Sequence, residues 1–333
     1  MKICVIMPAF NAEDTIVEAV ESVLEQNYED FAFHIYDDGS TDSTRAIIER
    51  YTNENQNIVA HFSGENRGYV YALNYLIKNT ESRFIARMDA DDISMVTRFE
   101  KQVKVLEEHE HIDIVSCAAQ TFQGEELGSI WKVPESNEEV FVSLIHRSPF
   151  THSGTMMRRS ALARMNPVYR EEYMPCEDYD LWSRLVNTSN SININQPLMK
   201  YRISRNQVSR NHLGTKQANR RLVMKSVLSR IVEARSLEIA THDQIMNGDW
   251  PEFDRESIQK AVDWFDKLMM ANVEKRVFPR EAFENLLLDR FFDLLSVNPL
   301  ISLKRLWASF CFGNLALSKK VFLTLKTLGI RST

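Results

Sequence analysis

Short apolar segments alternate with amphipathic helical segments in the first part of the chain, at a spacing of roughly 25 to 30 residues. The apolar segments are rich in β-branched and aromatic residues and are followed by polar turn residues, so they are predicted to be buried strands. Four strands are expected at residues 3–7, 31–36, 58–62 and 84–88, and a fifth around 114–118. This alternation is typical of an α/β domain with a mainly parallel sheet.

The strand–helix alternation stops near residue 210. Beyond that point the sequence predicts few strands and long helices, at 215–240, 255–275, 280–296 and 302–327. The expected organisation is therefore an α/β domain over residues 1–210, followed by an α-helical C-terminal region over residues 211–333.

Charge is distributed unevenly along the chain. The 333 residues carry 46 acidic and 40 basic side chains, a net charge of −6, which argues against a nucleic-acid-binding protein because such binding needs a dominant positive field. From Leu294 onward there is no acidic residue, and the basic ones are Lys304, Arg305, Lys319, Lys320, Lys326 and Arg331. Segment 302–331 is therefore expected either to lie on an anionic membrane surface or to pack on the protein with its basic faces exposed.

Three sequence features predict a cytoplasmic protein. The N-terminal residues lack a signal-peptide pattern, and the four cysteines lack the spacing of a disulfide or zinc framework, which fits a reducing compartment. The longest uncharged apolar stretch of the C-terminal segment, 306–318, has 13 residues, whereas a membrane span needs about 20. We expect a cytoplasmic location, and if residues 302–331 lie on a membrane, the contact would be peripheral and at its inner face.

Polar motifs follow three of the predicted strands. They are Asp37-Asp38-Gly39-Ser40-Thr41-Asp42 after the second strand, Glu65-Asn66-Arg67-Gly68 after the third and Asp89-Ala90-Asp91-Asp92 after the fourth. Ligands bind at the carboxyl ends of parallel strands, so these motifs predict a site at one edge of the sheet. Asp89 and Asp91 would point the same way in an extended segment and would suit Mg²⁺, which takes oxygen ligands. The alternative is a solvated acidic loop that caps the next helix.

Other positions allow both a functional and a structural interpretation. Asp38 can bond a base or ribose, or it can belong to a turn. Asp178, which follows Glu177 at the start of a predicted helix, can act as a general base, or both acids can stabilise the helix N-terminus. His152 can bind phosphate or acceptor, or make a structural hydrogen bond. Arg202 can neutralise a diphosphate or lie in a solvated turn.

The chain contains no P-loop, no dinucleotide-binding glycine motif and no GxSxG elbow. Its motifs instead resemble, in type and order, those of the family-2 inverting glycosyltransferases of the GT-A fold, of the bacterial polysaccharide or O-antigen type. Besides the three motifs above, the resemblance rests on Met7-Pro8-Ala9-Phe10-Asn11, Glu177-Asp178 and Tyr201-Arg202. It covers residues 1–210, and its specificity comes from the order of the motifs.

The resemblance implies a GT-A catalytic domain that moves a sugar from a UDP-sugar to a hydroxyl of a saccharide acceptor. The acceptor would be lipid-linked, and the product would be a cell-surface polysaccharide such as lipopolysaccharide O-antigen or capsule. Asp178 would be the general base, and Asp91 would hold Mn²⁺ or Mg²⁺, with Asp89 and His152 as additional candidate ligands. The residues implied in binding the nucleotide or substrate are Pro8, Ala9, Phe10, Asp38, Arg67, Asp89, Glu177 and Arg202.

The chain departs from the family pattern at Ser204, where many relatives carry a histidine that helps hold the metal and diphosphate. Trp182, one turn beyond Asp178, can stack on an acceptor sugar or belong to the core. Two other functions are open: a sugar-nucleotide-binding protein without turnover, and a sugar nucleotidyltransferase. The second would usually have a glycine-rich basic loop after the first strand, and residues 8–15 contain neither glycine nor lysine nor arginine.

Overall fold

The computed structural model describes residues 1–204, 213–248 and 254–297, together with Ser309 and Gly313. Its strands are β1 (Ile3–Ala9), β2 (Phe31–Asp37), β3 (Ile58–Phe62), β4 (Phe84–Arg87), β5 (Ile93–Ser94), β6 (Ile112–Gln123), β7 (Glu126–Ile130), β8 (Met156–Arg158) and β9 (Asn190–Arg202). Its helices are α1 (Ile16–Leu24), α2 (Thr44–Glu54), α3 (Tyr69–Lys78), α4 (Arg98–Glu108), α5 (Asn137–Ser143), α6 (Arg159–Leu162), α7 (Glu177–Leu185), α8 (Leu213–Leu228), α9 (Ser236–Asn247), α10 (Arg255–Lys275) and α11 (Arg280–Val297).

In the described ranges the strands form one mixed sheet, in the order β3-β2-β1-β4-β8-β6-β9-β5, with β7 paired to β6. Strand β1 lies between β2 and β4 and pairs in parallel with both. All seven residues of β1 are buried, as expected for a central parallel strand covered on both faces. This half of the sheet has the parallel pairing that the strand–helix alternation predicts.

The other half of the sheet departs from the parallel pattern. Strand β8 pairs antiparallel with β4 and β6, and the two-residue β5 pairs antiparallel with β9. The sequence pattern does not predict β5 and β8, because such short strands form by long-range pairing and leave no period in the sequence. The strand expected around 114–118 is the middle of the twelve-residue β6.

Most other predicted bounds lie within two residues of the observed ones, and β3 has its predicted bounds. The helix predicted over 215–240 is wrong, because α8 ends at Leu228 and α9 begins at Ser236. The Glu238 carboxylate accepts a 2.8 Å hydrogen bond from the Arg235 amide, and this contact starts a new helix.

The chain divides into two compact units. The first consists of Met1–Val140 and Ser148–Asn219 and contains the sheet. Its core is formed by apolar side chains of the central strands and of helices α1 and α4, among them Ile3, Val5, Val20, Phe33, Phe84, Phe99 and Val115. The second consists of Phe141–Arg147 and Arg220–Thr333. The domain boundary predicted near residue 211 falls at residues 205–212, outside the described residues.

Helices α8 to α11 all contribute buried side chains to the second unit, among them Val227, Ile245, Phe265, Leu268 and Phe291. In the part of the chain that the structure describes, no helix is both long enough and apolar enough to cross a bilayer. The helix predicted at 302–327 and the membrane contact predicted for 302–331 lie, apart from Ser309 and Gly313, outside the described residues.

Candidate active site

The carboxyl ends of β2, β1 and β4 lie side by side at one edge of the sheet. Ala9, the last residue of β1, is in register with Asp37, the last residue of β2, and β4 pairs with β1 on its other side. The chain that follows β4 contains Asp89, Asp91 and Asp92. The topology therefore brings the motifs after the second and fourth strands to the same edge, on either side of β1.

Asp89, Asp91 and Asp92 form an aspartate cluster. One carboxylate oxygen from each lies within 4.8 Å of the others. Burial, followed by the negative charge of Asp89, raises the pKa of Asp91 to about 6. The same two causes, with the charge of Asp91 added, raise the pKa of Asp92 well above its ordinary value. Carboxylates crowded in this way favour a proton or a cation, and hard oxygen ligands suit Mg²⁺ or Mn²⁺.

Arg87 is a buried cation beneath this cluster. Only 3% of the residue is exposed, and its guanidinium forms an ion pair with Asp89. Burial alone would lower the pKa of Arg87, but the charge of Asp89 raises it above the ordinary arginine value. Arg87 is not among the site residues predicted from the sequence, although a basic residue at the end of an otherwise apolar strand, just before an acidic motif, is a signal of such a site.

Asp92 holds two distant segments against the loop after β4. Its carboxylate accepts a hydrogen bond from the Ser153 hydroxyl and another, 3.0 Å long, from the Arg202 amide. The Arg202 guanidinium donates to the backbone carbonyl of Asp91 at 2.7 Å and forms an ion pair with Glu18. The structure thus places Arg202 at the cluster, while its predicted contact with a diphosphate stays a prediction.

A second pair of acids begins α7. The Asp178 carboxylate accepts a 2.8 Å hydrogen bond from the Ser148 hydroxyl. Burial raises the pKa of Asp178, and the hydrogen bond from Ser148 partly opposes that rise. Glu177 is 4% exposed, and burial followed by the negative charge of Asp178 raises its pKa to about 7. The Tyr69 hydroxyl also interacts with Glu177.

The positive charge of Arg87 acts on both acidic groups. It lowers the pKa of Asp91 in the aspartate cluster, and it lowers the pKa of Glu177 and Asp178 at the start of α7. In each case it opposes the larger effect of burial. The aspartate cluster and the Glu177–Asp178 pair, which are far apart in sequence, therefore both interact with the buried guanidinium of Arg87. Its positive charge favours the ionised forms of these acids.

His152 does not lie in the aspartate cluster. Its Nε2 atom is 2.9 Å from the Tyr169 hydroxyl, and burial followed by the Arg87 charge lowers its pKa well below the usual value. Of the described His, Cys, Asp and Glu residues, the group with metal-binding spacing contains three aspartates and no histidine. The ligand role of His152 stays a prediction. Trp182 is fully buried between Phe150 and His152, so the core interpretation of Trp182 is the one observed.

Asp38 fixes the loop that follows β3. Its two carboxylate oxygens accept hydrogen bonds from the amides of Arg67 at 2.9 Å and Gly68 at 2.7 Å. Gly39 allows this approach, because a Cβ at that position would lie 2.7 Å from the carbonyl carbon of Glu65. Burial raises the pKa of Asp38, and these backbone hydrogen bonds oppose the rise.

The remaining predicted nucleotide residues lie at the same edge of the sheet. The Arg67 guanidinium stacks 3.9 Å from the ring centre of Tyr71 and bonds its hydroxyl. Pro8 and Ala9 are buried in β1, whereas Phe10 is 45% exposed just beyond it. The Phe10 ring is thus available to contact a ligand, and the binding roles of all three residues stay predictions.

The chain is similar in sequence to known glycosyltransferases. Residues 4–165 match the family described as Glycosyl transferase family 2. EpsE of Bacillus subtilis, provisionally named a glycosyltransferase, is 32% identical over 213 residues, which are 60% of this chain and 73% of EpsE. The amylovoran biosynthesis glycosyltransferase AmsE of Erwinia amylovora is 26% identical over 210 residues, 62% of this chain and 78% of AmsE.

Solved structures of low sequence identity share the fold. Residues 1–349 of TarS from S. aureus, in complex with UDP-GlcNAc, align with a TM-score of 0.57 and 18% identity, covering 100% of this chain and 93% of that one. The mannosyltransferase PcManGT of Pyrobaculum calidifontis, with GDP-Man and Mn²⁺, aligns with a TM-score of 0.55 and 14% identity, over 98% and 87% of the two chains. The predicted GT-A fold with a helical C-terminal region is confirmed.

Proposed function

The chain belongs to glycosyl transferase family 2 and is a glycosyltransferase, and from that premise we propose that it moves a sugar from a UDP-sugar to a saccharide hydroxyl with inversion at the anomeric carbon. The observation that carries the proposal is the pair of acidic groups around Arg87. The aspartate cluster suits a divalent cation, which in turn would bind the diphosphate, and the Glu177–Asp178 pair suits a proton acceptor. An inverting displacement needs both functions on opposite sides of the anomeric carbon.

Asp178 is the proposed general base. The hydrogen bond from Ser148 fixes its carboxylate, and the charges of Arg87 and Lys216 favour its ionised form. A base of this kind must lie within hydrogen-bond reach of the acceptor hydroxyl and be ionised near neutral pH. In the proposed reaction Asp178 takes the acceptor proton while the oxygen bonds the anomeric carbon and the bond to UDP breaks. One protein carboxylate is enough, because the leaving diphosphate departs from the opposite face.

Asp91 is the proposed main ligand of a divalent cation, Mg²⁺ or Mn²⁺. Among the described residues no side chain is hydrogen-bonded to its carboxylate, whereas Asp89 is paired with Arg87 and Asp92 with Ser153 and Arg202. Burial and the negative charge of Asp89 raise the pKa of Asp91, and a bound cation would oppose both effects by stabilising the ionised carboxylate. When bound, such an ion supplies positive charge for the charge that develops on UDP. PcManGT was solved with Mn²⁺ and a nucleotide sugar.

The nucleotide would bind along the carboxyl ends of β1 to β4. TarS was solved with UDP-GlcNAc, which supports a UDP-sugar as the donor. Asp38 and Arg67 would contact the base side, with Asp38 also fixing the backbone amides of that loop. Pro8, Ala9 and the exposed ring of Phe10 would line the nucleoside pocket. Nearer the aspartate cluster, the proposed contacts are Asp89 with the ribose, Arg202 with the diphosphate and Glu177 with the sugar.

The proposed biological role is the synthesis of a cell-surface polysaccharide, either lipopolysaccharide O-antigen or capsule. AmsE is named for amylovoran biosynthesis, which supports a polysaccharide product. A lipid-linked acceptor would bring the enzyme to the cytoplasmic face of the membrane. The six basic residues and the lack of acidic residues after Leu294 support peripheral contact there.

A donor screen tests this function. The intact protein is incubated with Mn²⁺ or Mg²⁺ and with UDP-glucose, UDP-galactose, UDP-N-acetylglucosamine or GDP-mannose, and released nucleotide is measured. We expect metal-dependent release of UDP from one UDP-sugar and none from GDP-mannose. UDP binding by calorimetry without release from any donor would instead indicate a binding protein without turnover. Release from GDP-mannose alone would refute the UDP assignment.

A further inference from the structure

Two aromatic rings meet at the surface next to the aspartate cluster. Trp131, directly after β7, is 38% exposed, and its ring centre lies 4.4 Å from that of Tyr201 in β9. Every residue of β7 is exposed, including Leu127 and Ile130. A large aromatic side chain that packs on another ring, with part of its own ring exposed to solvent, is typical of binding surfaces.

The position of Trp131 is fixed by the hairpin that carries it. Its amide donates a 2.9 Å hydrogen bond to the Ala119 carbonyl of β6, and the Gln120 side chain bonds the Gly128 carbonyl. A Cβ on Gly128 would meet the Thr121 hydroxyl oxygen, so a larger residue there would have to displace the Thr121 side chain, which bonds the Ser129 carbonyl. The ring pair is therefore ordered before any ligand binds, which reduces the entropy cost of binding.

Tyr201 connects the ring pair to the candidate active site. The next residue, Arg202, donates its amide to Asp92 at 3.0 Å and its guanidinium to the Asp91 carbonyl at 2.7 Å. The rings thus lie beside the aspartate cluster. In the sheet, β2 and β3 lie on one side of β4, and the loops that contain Asp38 and Arg67 follow these two strands. Strands β6 and β9 lie on the other side of β4. The ring pair is therefore on the side of the cluster away from Asp38 and Arg67.

We propose that Trp131 and Tyr201 form the subsite for the acceptor sugar, with the exposed indole stacked on the apolar face of the sugar ring. This inference rests on the proposed function. A pyranose presents C–H groups on its faces and hydroxyls at its rim, so a half-exposed indole next to carboxylates can bind the face while the rim reaches the polar site. Trp131 is a positioning and specificity residue, because it does not contact the reacting atoms.

The test separates donor chemistry from acceptor binding. UDP release from the active donor is measured first without a saccharide acceptor, which gives the rate of donor hydrolysis by water. It is then measured with acceptor probes, which are the p-nitrophenyl and octyl glycosides of glucose, galactose, N-acetylglucosamine and rhamnose. For Trp131→Ala we expect the acceptor-dependent kcat/KM to fall on the order of tenfold, with the donor KM and the hydrolysis in water unchanged. Trp131→Phe, which keeps a stacking ring, should restore most of the loss. Leu127→Ala, 64% exposed on the same hairpin, is the matched control and should change neither rate.

Binding is also read without turnover, by tryptophan fluorescence during titration with the same glycosides. The wild-type protein should show a change in emission that Trp131→Phe lacks. Equal acceptor-dependent rates for wild type and Trp131→Ala, or no emission change that depends on Trp131 with any glycoside, would overturn the subsite. Failure of the wild-type protein to hydrolyse any donor would count against the proposed function, while the fluorescence titration would still decide the subsite.

Discussion

The Asp92 carboxylate accepts a 3.0 Å hydrogen bond from the backbone amide of Arg202, although 110 positions separate the two residues. The contact joins the acidic loop after β4 to the end of β9. It also leaves Asp92 occupied, because its carboxylate accepts from Ser153 as well. Among the described residues, Asp91 is the member of the aspartate cluster whose carboxylate has no hydrogen-bonded or ion-paired side chain, and Asp92 is the member that fixes the loop.

Asp91→Asn and Asp92→Asn should separate these two roles. We expect Asp91→Asn to lose metal-dependent UDP release and to weaken Mn²⁺ affinity about tenfold or more in a calorimetric titration, because it removes the carboxylate proposed as the main metal ligand. Asp92→Asn retains an oxygen that can accept from Arg202, so it should keep measurable Mn²⁺ binding. Equal loss of Mn²⁺ affinity in both variants would contradict the assignment, and full activity of the wild type in EDTA would refute the metal.

Removing the charge of Arg87 should move the acidic limb of the pH–rate profile. That charge lowers the pKa of Asp178, so Arg87→Met should raise this pKa and leave less of the base ionised at a given pH. The limb should shift to higher pH. The variant should also be less stable than wild type, because Asp89, whose side chain is 29% exposed, loses its buried partner and keeps its two acidic neighbours.

Arg87→Lys keeps the positive charge and is the matched control for this experiment. It should keep the acidic limb of the profile within a few tenths of a pH unit of wild type, even if its stability falls. A profile for Arg87→Met that overlays the wild-type profile would show that Arg87 does not tune the base.

Glu177 should make the folded state less stable as pH rises. Its pKa in the folded protein, about 7, lies above its unfolded value of 4.5, so the protonated form is favoured by folding. The contribution of Glu177 to the free energy of unfolding is fully present below pH 4.5 and is lost as pH rises through about 7. The whole change is about 3 kcal/mol. Glu177→Gln should therefore be more stable than wild type at pH 8 and similar at pH 4.5, as measured by urea unfolding. The exposed Glu110→Gln should show no such difference, and a Glu177→Gln variant less stable at pH 8 would contradict the account.

His242, in the second unit, should make the folded state less stable as pH falls, which is the opposite of the effect of Glu177. Its Nδ1 accepts from the Trp264 indole at 3.0 Å and its Nε2 donates to the Ile145 carbonyl at 2.8 Å, so the buried ring is neutral. Burial lowers its pKa from 6.5 to about 4. The unfolded chain binds the extra proton between these values, so stability should fall as pH drops from about 6.5 to 4.

Urea midpoints at pH 7 and pH 5 measure this effect. His242→Gln, which does not titrate, should lose part of the difference between the two midpoints, whereas the exposed His111→Gln should keep all of it. An unchanged difference in His242→Gln would show that His242 is not the group responsible.

The sequence predicts much of the parallel half of the sheet and its acidic loops, because burial and period are local properties of each segment. Residues 58–62 have their predicted bounds, and the acids after strands two and four come to one edge because parallel strands end there. The boundary between α8 and α9 was not predicted, since Glu238 overrides a continuous helical pattern.

The contacts that define the site depend on residues far apart in sequence. Arg87 is a cation in an apolar strand, and only the fold brings it near Asp178 as well as Asp89. Trp131 is a candidate binding residue only because the fold brings its ring into contact with Tyr201. Trp182, a candidate for sugar binding by position in its helix, is instead fully buried. Single-residue patterns carry no information on such pairs.

The most direct test of the central claim is acceptor-dependent UDP release by Asp178→Asn, measured beside calorimetric UDP binding to the same variant. Asparagine has nearly the same shape and still accepts from Ser148, so the site should stay intact. We predict UDP affinity within about twofold of wild type and transfer reduced by about 10²-fold or more, the usual contribution of a general base. Transfer by Asp178→Asn at more than about a tenth of the wild-type rate, with UDP binding unchanged, would contradict the assignment of Asp178 as the base.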